Sequence, residues 1–268
     1  MTLESKNTHK DVIADGIAAL SAQLAAGNSA ALTEYLGTMS RFHNYSFGNV
    51  MAIAMQRPDA VRVAGFHTWR ELGRFVKKGE KGIRILAPMV GKDKESTVEG
   101  DGKQGSRVFG FRAVYVFDIS QTDGKELPQF ASVEGDAGGH LAKLMQFASE
   151  SGIAIEFADD LGGAEGLSYG GRIKLLSGKP DARTFAVLTH ELAHELLHKQ
   201  DRKNAGAKDR RELEAEAVAF IIGTAIGLDM NTASADYIRL YSGNADALSE
   251  SLDGISRASK AILAALEL

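Results

Sequence analysis

Apolar residues recur at helical spacing over residues 9 to 26 and 29 to 40, interrupted only by Gly27-Asn28, which predicts two helices. Ser46 can cap a third that runs through Val50, Ile53 and Ala54 until Pro58 ends it. Thr68-Trp69-Arg70-Glu71 has the capping-box pattern of a short helix, and the apolar runs 83 to 87 and 108 to 117 read as strands. The Gly- and Lys-rich stretch 91 to 106 between them reads as a hairpin loop. Further on, the pattern gives a helix over 138 to 151 and short strands at 153 to 157, 166 to 169 and 172 to 176, the last two joined by Gly170-Gly171. Two helices follow, one from about Asp181 and one over about 207 to 227. Helices and short strands in separate runs make this an α+β protein.

Charge divides the chain. Residues 1 to 130 carry 17 Lys and Arg against 14 Asp and Glu, whereas 131 to 268 carry 14 against 21. The change falls in Glu126 to Gly139, where Pro128, Gly135, Gly138 and Gly139 read as a linker, so two domains are expected, 1–130 and 131–268. Cysteine is absent, which excludes disulfides, thiolate metal sites and cysteine nucleophiles, and leaves any metal to His, Asp or Glu. No apolar run approaches the ~18 residues of a membrane span and Met1 to Val12 is polar, so the expectation is a cytoplasmic protein with no membrane partner.

Within the first domain, Arg57 to Arg84 holds eight Arg and Lys against three acids, with Phe66, Trp69 and Phe75 among them. The turn Val76-Lys77-Lys78-Gly79-Glu80-Lys81-Gly82 has glycines that let backbone approach a phosphate, and aromatic faces could stack on bases. Composition alone equally fits a solvated basic loop over buried aromatics.

His43-Asn44-Tyr45-Ser46-Phe47-Gly48-Asn49, Gln56-Arg57-Pro58, Trp69 with Gly73, the turn 76 to 82 and Val116-Phe117-Asp118-Ile119-Ser120-Gln121-Thr122 occur in the order found in ArdC-type antirestriction proteins. Over about residues 30 to 128 the chain resembles their N-terminal domain. The resemblance implies a domain that binds single-stranded DNA; beside it, the charge and aromatic pattern offers Arg70, Arg74, Lys77, Lys78, Lys81, Trp69 and Tyr45 as the nucleic-acid-binding residues.

The second domain holds His190-Glu191-Leu192-Ala193-His194 on a helix. Histidines at i and i+4 share a face, so their ring nitrogens can converge on one ion, and the adjacent Glu191 can act as general base on a metal-bound water. Phe185, Leu188, Leu192 and Leu196 fall on the other, core face. Zn2+ suits two imidazoles and a carboxylate, and other divalent transition metals fit the same donors. On the next helix Glu212 and Glu216 share a face with Ala219 and Gly223, whereas Glu214 points with Ala217, Val218 and Ile221; the third ligand is therefore Glu212 or Glu216, the other being free to orient a ligating histidine. His198 reads as a helix-end residue and Tyr169 as a packed edge-strand aromatic.

The same motif followed by Glu214-Ala215-Glu216-Ala217-Val218-Ala219-Phe220 resembles the gluzincin-type pattern of ImmA/IrrE metallopeptidases and of the ArdC C-terminal domain, over about residues 137 to 228. That resemblance implies a zincin-like domain with a small antiparallel sheet, and a set of ligands His190, His194 and Glu216. Val218 stands where many ImmA/IrrE members carry Asn. The function expected is a single-stranded-DNA-binding antirestriction-type protein with a zinc metallopeptidase domain. The competing expectations are a DNA-binding protein whose metal domain is structural or recruits a partner, and a regulatory protease that cleaves a repressor.

Overall fold

The computed structural model describes residues 9–92, 106–125, 137–198, 208–228 and 244–268. The expected loop over 91 to 106 and the linker over 126 to 139 lie mostly outside these residues. The chain is α+β and packs as two units. The described residues of Met1–Ala14 and Met51–Leu127 form one, and those of Asp15–Val50 and Pro128–Leu268 the other. Residues 15 to 50, which the charge division groups with the first domain, thus pack with the C-terminal part.

In the first unit, the C-terminal part of α3 (Phe47–Gln56) leads to β1 (Val63–Gly65), α4 (Phe66–Glu71) and β2 (Arg74–Val76). β3 (Ile83–Lys92) and β4 (Ser106–Asp118) then pair antiparallel, and β1 adds on the far side of β4, giving the order β1-β4-β3. β5 (Thr122–Gly124) pairs antiparallel with β2. Val63, Ile83, Ile85 and Val116 fill one face of the larger sheet, and Trp69 is wholly buried, its Nε1 donating to the carbonyl of Phe117 at 2.8 Å. α4 starts at Phe66, two residues before the expected capping box, and Gly65 at its N-cap offers no side chain to cap it. Gln56 holds the β3 edge as a further strand would: its amide donates to the Arg84 carbonyl and its Oε1 accepts from the Arg84 N–H, both at 2.9 Å.

Asp118 organises the end of this unit. Its carboxylate accepts from the backbone N–H of Val61 and Arg62, from the Ser120 N–H and from the Ser120 hydroxyl, at 2.6–2.9 Å. Gln121 Oε1 accepts from the Asp118 N–H, completing a reciprocal cap on the 3-10 turn Ile119–Gln121. The Gln121 amide also donates to Glu80 and to the Lys81 carbonyl, and Lys77 N–H donates to the Gln121 carbonyl, so the basic turn 77–82 is clamped in shape.

The second unit is mainly helical. The described part of α1 (His9–Ala25) beyond residue 14 buries Ile17, Leu20 and Leu24, and α2 (Ala30–Arg41) buries Leu32, Tyr35, Leu36 and Met39. After α5 (Gly138–Glu150), strands β6 (Ala154–Ala158), β7 (Gly166–Ser168) and β8 (Arg172–Leu176) form a sheet of order β6-β8-β7. The small antiparallel sheet expected here is mixed: β7 runs antiparallel to β8, but β6 runs parallel to it, because the chain crosses β7 before returning to pair. α6 (Asp181–Leu197) packs on α5, on β7 and β8, and on α7 (Lys208–Ala225). α7 is itself covered by α2, α6 and α8 (Ala245–Ala265), which explains why it buries Leu213, Ala215, Val218, Ile221 and Ile222 on more than one face. α8 has no counterpart among the expected elements. Asn244 Oδ1 caps it by accepting from the Ala247 N–H, and Leu248, Leu252, Ile255 and Ile262 line its buried stripe.

Asp118 gives a stability prediction. Burial opposes its ionisation, but the four hydrogen bonds outweigh that and hold its carboxyl below the usual carboxylate range. Asp118→Ala should lose about 3 kcal/mol in urea unfolding at neutral pH. Because the folded-state pKa is the lower one, this contribution is full above pH of about 4 and disappears as pH falls further, so the gap between variant and wild type should close in acid.

Candidate functional site

On α6, His190 and His194 stand one turn apart with rings 4.8 Å apart and inclined at 79°. Their Nε2 atoms are separated by 3.1 Å. α7 packs against this helix and carries Glu212 to the same point, with Oε2 3.4 Å from His190 Nε2 and 3.5 Å from His194 Nε2. Ligand atoms bound ~2.0–2.2 Å from a tetrahedral ion stand ~3.3–3.6 Å from one another. The triangle of two imidazole nitrogens and one carboxylate oxygen therefore has close to the size of one face of such a shell, and among the described residues these three form a group that could hold a metal ion.

The charges around the group fit that use. Burial works against protonation of His190, but the hydrogen bond to Glu212 and the charges of Glu191, Glu212 and Glu216 outweigh it and raise its pKa. For His194 burial wins and the pKa falls. The two imidazoles hold the Glu212 carboxyl well below the usual range, as an anion. Of the two carboxylates left open by helix geometry, the structure brings Glu212 to the histidine nitrogens. Glu216, to which the ImmA/IrrE resemblance assigns the third ligand, sits one turn along α7, with Oε2 shielded from solvent and its charge felt at His190.

Glu191 is buried beneath the histidines against β7. A Cβ on Gly166 would lie 2.9 Å from Glu191 Oε1, 2.8 Å from its Cγ and 2.5 Å from Val187 Cγ1, so only glycine lets the strand approach this closely. Four residues on, the buried carboxylate of Glu195 accepts from the Ser168 hydroxyl and the Gly170 N–H, both at 2.8 Å, and from the Gly171 N–H at 2.7 Å. The helix that carries the histidines thus also grips the β7–β8 hairpin.

A second buried chain starts at His194. His194 Nδ1 lies 3.1 Å from His198 Nδ1, and His198 Nε2 donates to Glu214 Oε2 at 2.7 Å. Arg210 Nε is 3.3 Å from Glu214 Oε1. When His198 donates to Glu214 from Nε2, its Nδ1 can accept from His194 Nδ1–H, the arrangement that would leave His194 Nε2 to ligate an ion. His198 closes α6, yet only 5% of its side chain is exposed, which makes it part of the site's frame. Leu196, assigned to the core face, is exposed, and so is Tyr169, whose ring lies 5.9 Å from Lys174 Nζ.

The basic residues belong to the other unit. Arg70, Lys78 and Lys81 are exposed. Lys77 donates to the Ser120 carbonyl and lies 3.6 Å from Asp123. Arg74 is spent internally, on Thr122 and the Lys125 carbonyl. Trp69 cannot stack on a base, because it is enclosed in the core. Tyr45 falls in the second unit, half-buried and edge-on to Phe42, with burial raising its hydroxyl pKa.

Residues 7–117 match the family model for the N-terminal domain of anti-restriction factor ArdC. Over this segment the chain is similar to that domain. The matched stretch takes in α1 to β4. An uncharacterized protein of Bacillus anthracis is 26% identical over 267 aligned residues, which cover 84% of this chain; the match spans 45% of that protein, so the chain corresponds to about half its length. Two crystal structures of antirestriction ArdC from plasmid R388 align with a TM-score of 0.49. The metal-free one is 18% identical, covering 83% of this chain and 85% of that one, and the Mn(II)-bound one is 17% identical, covering 88% and 98%.

Glu214 left a trace in the sequence: a carboxylate on the same helix face as Ala217, Val218 and Ile221 needs a buried partner, and His198 is that partner. No pattern pointed to Glu195 or Gly166, whose roles depend on where the hairpin lies. The His198–Glu214 bond predicts a measurable cost: His198→Ala leaves the buried Glu214 carboxylate with Arg210 alone and should lower unfolding free energy by about 2–3 kcal/mol. Chemical denaturation measures it, and a double variant with Glu214→Leu should recover part of the loss.

Proposed function

We propose that the chain is an antirestriction-type protein that binds single-stranded DNA through its ArdC N-terminal domain and carries a metal-dependent peptidase site in its second unit. The observation that supports the peptidase reading best is the triangle His190, His194, Glu212 with sides of 3.1–3.5 Å, beside a buried Glu191. In this reading His190, His194 and Glu212 hold a divalent ion, Zn2+ or Mn2+. When bound, such an ion supplies Lewis acidity that polarises a peptide carbonyl and acidifies water.

The chain's own residues do the remaining work. Glu191 takes the proton of the attacking water on its carboxylate and returns it to the leaving amine. Gly166 fixes where that carboxylate rests. Among the described residues β7 is the outer strand of its sheet, so an extended substrate segment can align along it and present a peptide bond to Glu191. His198 and Glu214 hold the His194 ring so that Nε2 remains the ligating atom. Glu216 adds negative charge near His190 and orients it. The DNA reading is supported by the domain family and by the basic excess of the first unit, whose described residues 51–92 and 106–125 carry 12 Lys and Arg against 5 Asp and Glu.

Two experiments test the peptidase site. Metal content after dialysis against Zn2+ should fall to background in a His190→Ala, His194→Ala double variant. Glu212→Ala should lose more metal than Glu216→Ala, and the opposite order would return the third ligand to Glu216. Glu191→Gln should keep wild-type metal and wild-type melting while cleavage of labelled, unfolded casein drops by about 10²- to 10⁴-fold. Cleavage that survives this change removes Glu191 from the mechanism, and wild-type protein that binds metal without cleaving, while still protecting DNA in a restricting host, favours a non-catalytic metal domain.

A further inference from the structure

An antiparallel sheet with one buried face ordinarily turns polar residues to water on the other. The β1-β4-β3 sheet does not. Its buried side carries Val63, Ile83, Ile85 and Val116, and the residues that alternate with them along β4 are Phe111, Ala113, Tyr115 and Phe117. Phe111 is 64% and Tyr115 59% exposed. Phe66, at the start of α4, joins them, 49% exposed and 6.5 Å from the Phe117 ring at 70°. Edge-on packing of this kind leaves ring faces bare. Exposed aromatic clusters on this scale mark interaction surfaces.

What surrounds the rings narrows the partner. Register places Arg84 directly across from Tyr115, on the same face. The clamped basic turn ends at Gly82, where a Cβ would lie 2.8 Å from Tyr115 Cβ and 3.1 Å from Phe117 Cζ, so the turn bearing exposed Lys78 and Lys81 lies directly against the rings. Flat apolar faces flanked by fixed cations complement a chain of unpaired bases on a phosphate backbone. A duplex hides its base faces and does not fit. Along β4, Tyr115 and Phe117 are ~7 Å apart and Phe111 is ~14 Å from Tyr115, giving separate platforms rather than a single slot.

We infer that the exposed face of this sheet, with Phe111 and Tyr115 as stacking platforms and Lys78, Lys81 and Arg84 as phosphate contacts, is the surface that binds single-stranded DNA. The inference rests on the DNA-binding reading above and assigns it a surface. It also replaces Trp69 and Tyr45 as stacking residues.

Fluorescence anisotropy of the full chain with labelled oligothymidylate tests it. Wild type should bind the single strand and prefer it to a duplex of equal length. Phe111→Ala and Tyr115→Ala remove exposed side chains, so melting should not change, and each should weaken binding roughly 5- to 100-fold with an unaltered salt slope. Tyr115→Phe keeps the ring and should retain affinity. Lys78→Ala with Lys81→Ala should instead flatten the slope of log K against log salt, by about 0.7 for each phosphate no longer neutralised. If wild type binds and the two aromatic variants bind equally well, the assigned surface is overturned while the DNA reading stands. If wild type does not bind, the reading falls and takes this inference with it. A wild-type dimer in sedimentation that Phe111→Ala converts to monomer, with DNA affinity unchanged, would assign the face to a second copy of the chain instead.

Discussion

The bond between His198 and Glu214 is the constraint on which the histidine-bearing end of the second unit depends. Both side chains are almost sealed from water, and each is costly there unless it meets the other. Meeting requires one register of α7 on α6, and that register decides which turn of α7 faces the imidazoles. Glu212 reaches the histidine nitrogens and Glu216 stops beside them as a result. The same bond passes through the His198 ring to His194 and lets its Nε2 be the nitrogen left to ligate. Leu188, Leu192, Val218 and Ile221 are buried on the two helices, but apolar surfaces tolerate sliding in a way that a buried ionisable pair does not.

Much of this was legible in the residues. Helical spacing of His190 and His194 places both rings on one face wherever the helix packs, so their convergence follows from local geometry. The choice between Glu212 and Glu216 did not follow, because both lie on one stripe of α7 and only the tertiary register separates them. The ImmA/IrrE resemblance pointed to Glu216 and the geometry brings Glu212 instead. Strands β1, β2 and β5 have three residues each and carry too little pattern to be read; their existence rests on pairing with β4 and with one another. α8 carries a regular apolar stripe in the sequence and yet was not among the expected elements, whereas the parallel pairing of β6 with β8 left no signal at all, since side-chain alternation carries no strand direction.

The basic half teaches a different lesson about motifs. Gln56, Trp69, Asp118 and Gln121 all sit in the segments that give the chain its ArdC resemblance, and all four are spent on holding backbone: the β3 edge, the core, the 3-10 turn and the Lys-rich turn. Their value to a surface is indirect. They fix in space the lysines and aromatics that they do not themselves join, and the aromatics that matter most in this arrangement, on β4, are ones whose strand reads simply as apolar until its two faces are told apart.

The grip of Glu195 on the hairpin has an effect on motion. Three donors of one hairpin bind a carboxylate on the helix that also bears Glu191, and Gly166 of the same hairpin rests on Glu191 itself. Helix, hairpin and Glu191 form a closed mechanical loop, in which no member can swing without breaking the hydrogen bonds or close contacts of another. This side of the histidine pair is a fixed anvil. Any motion that rearranges the surroundings of the pair must come from residues outside this loop.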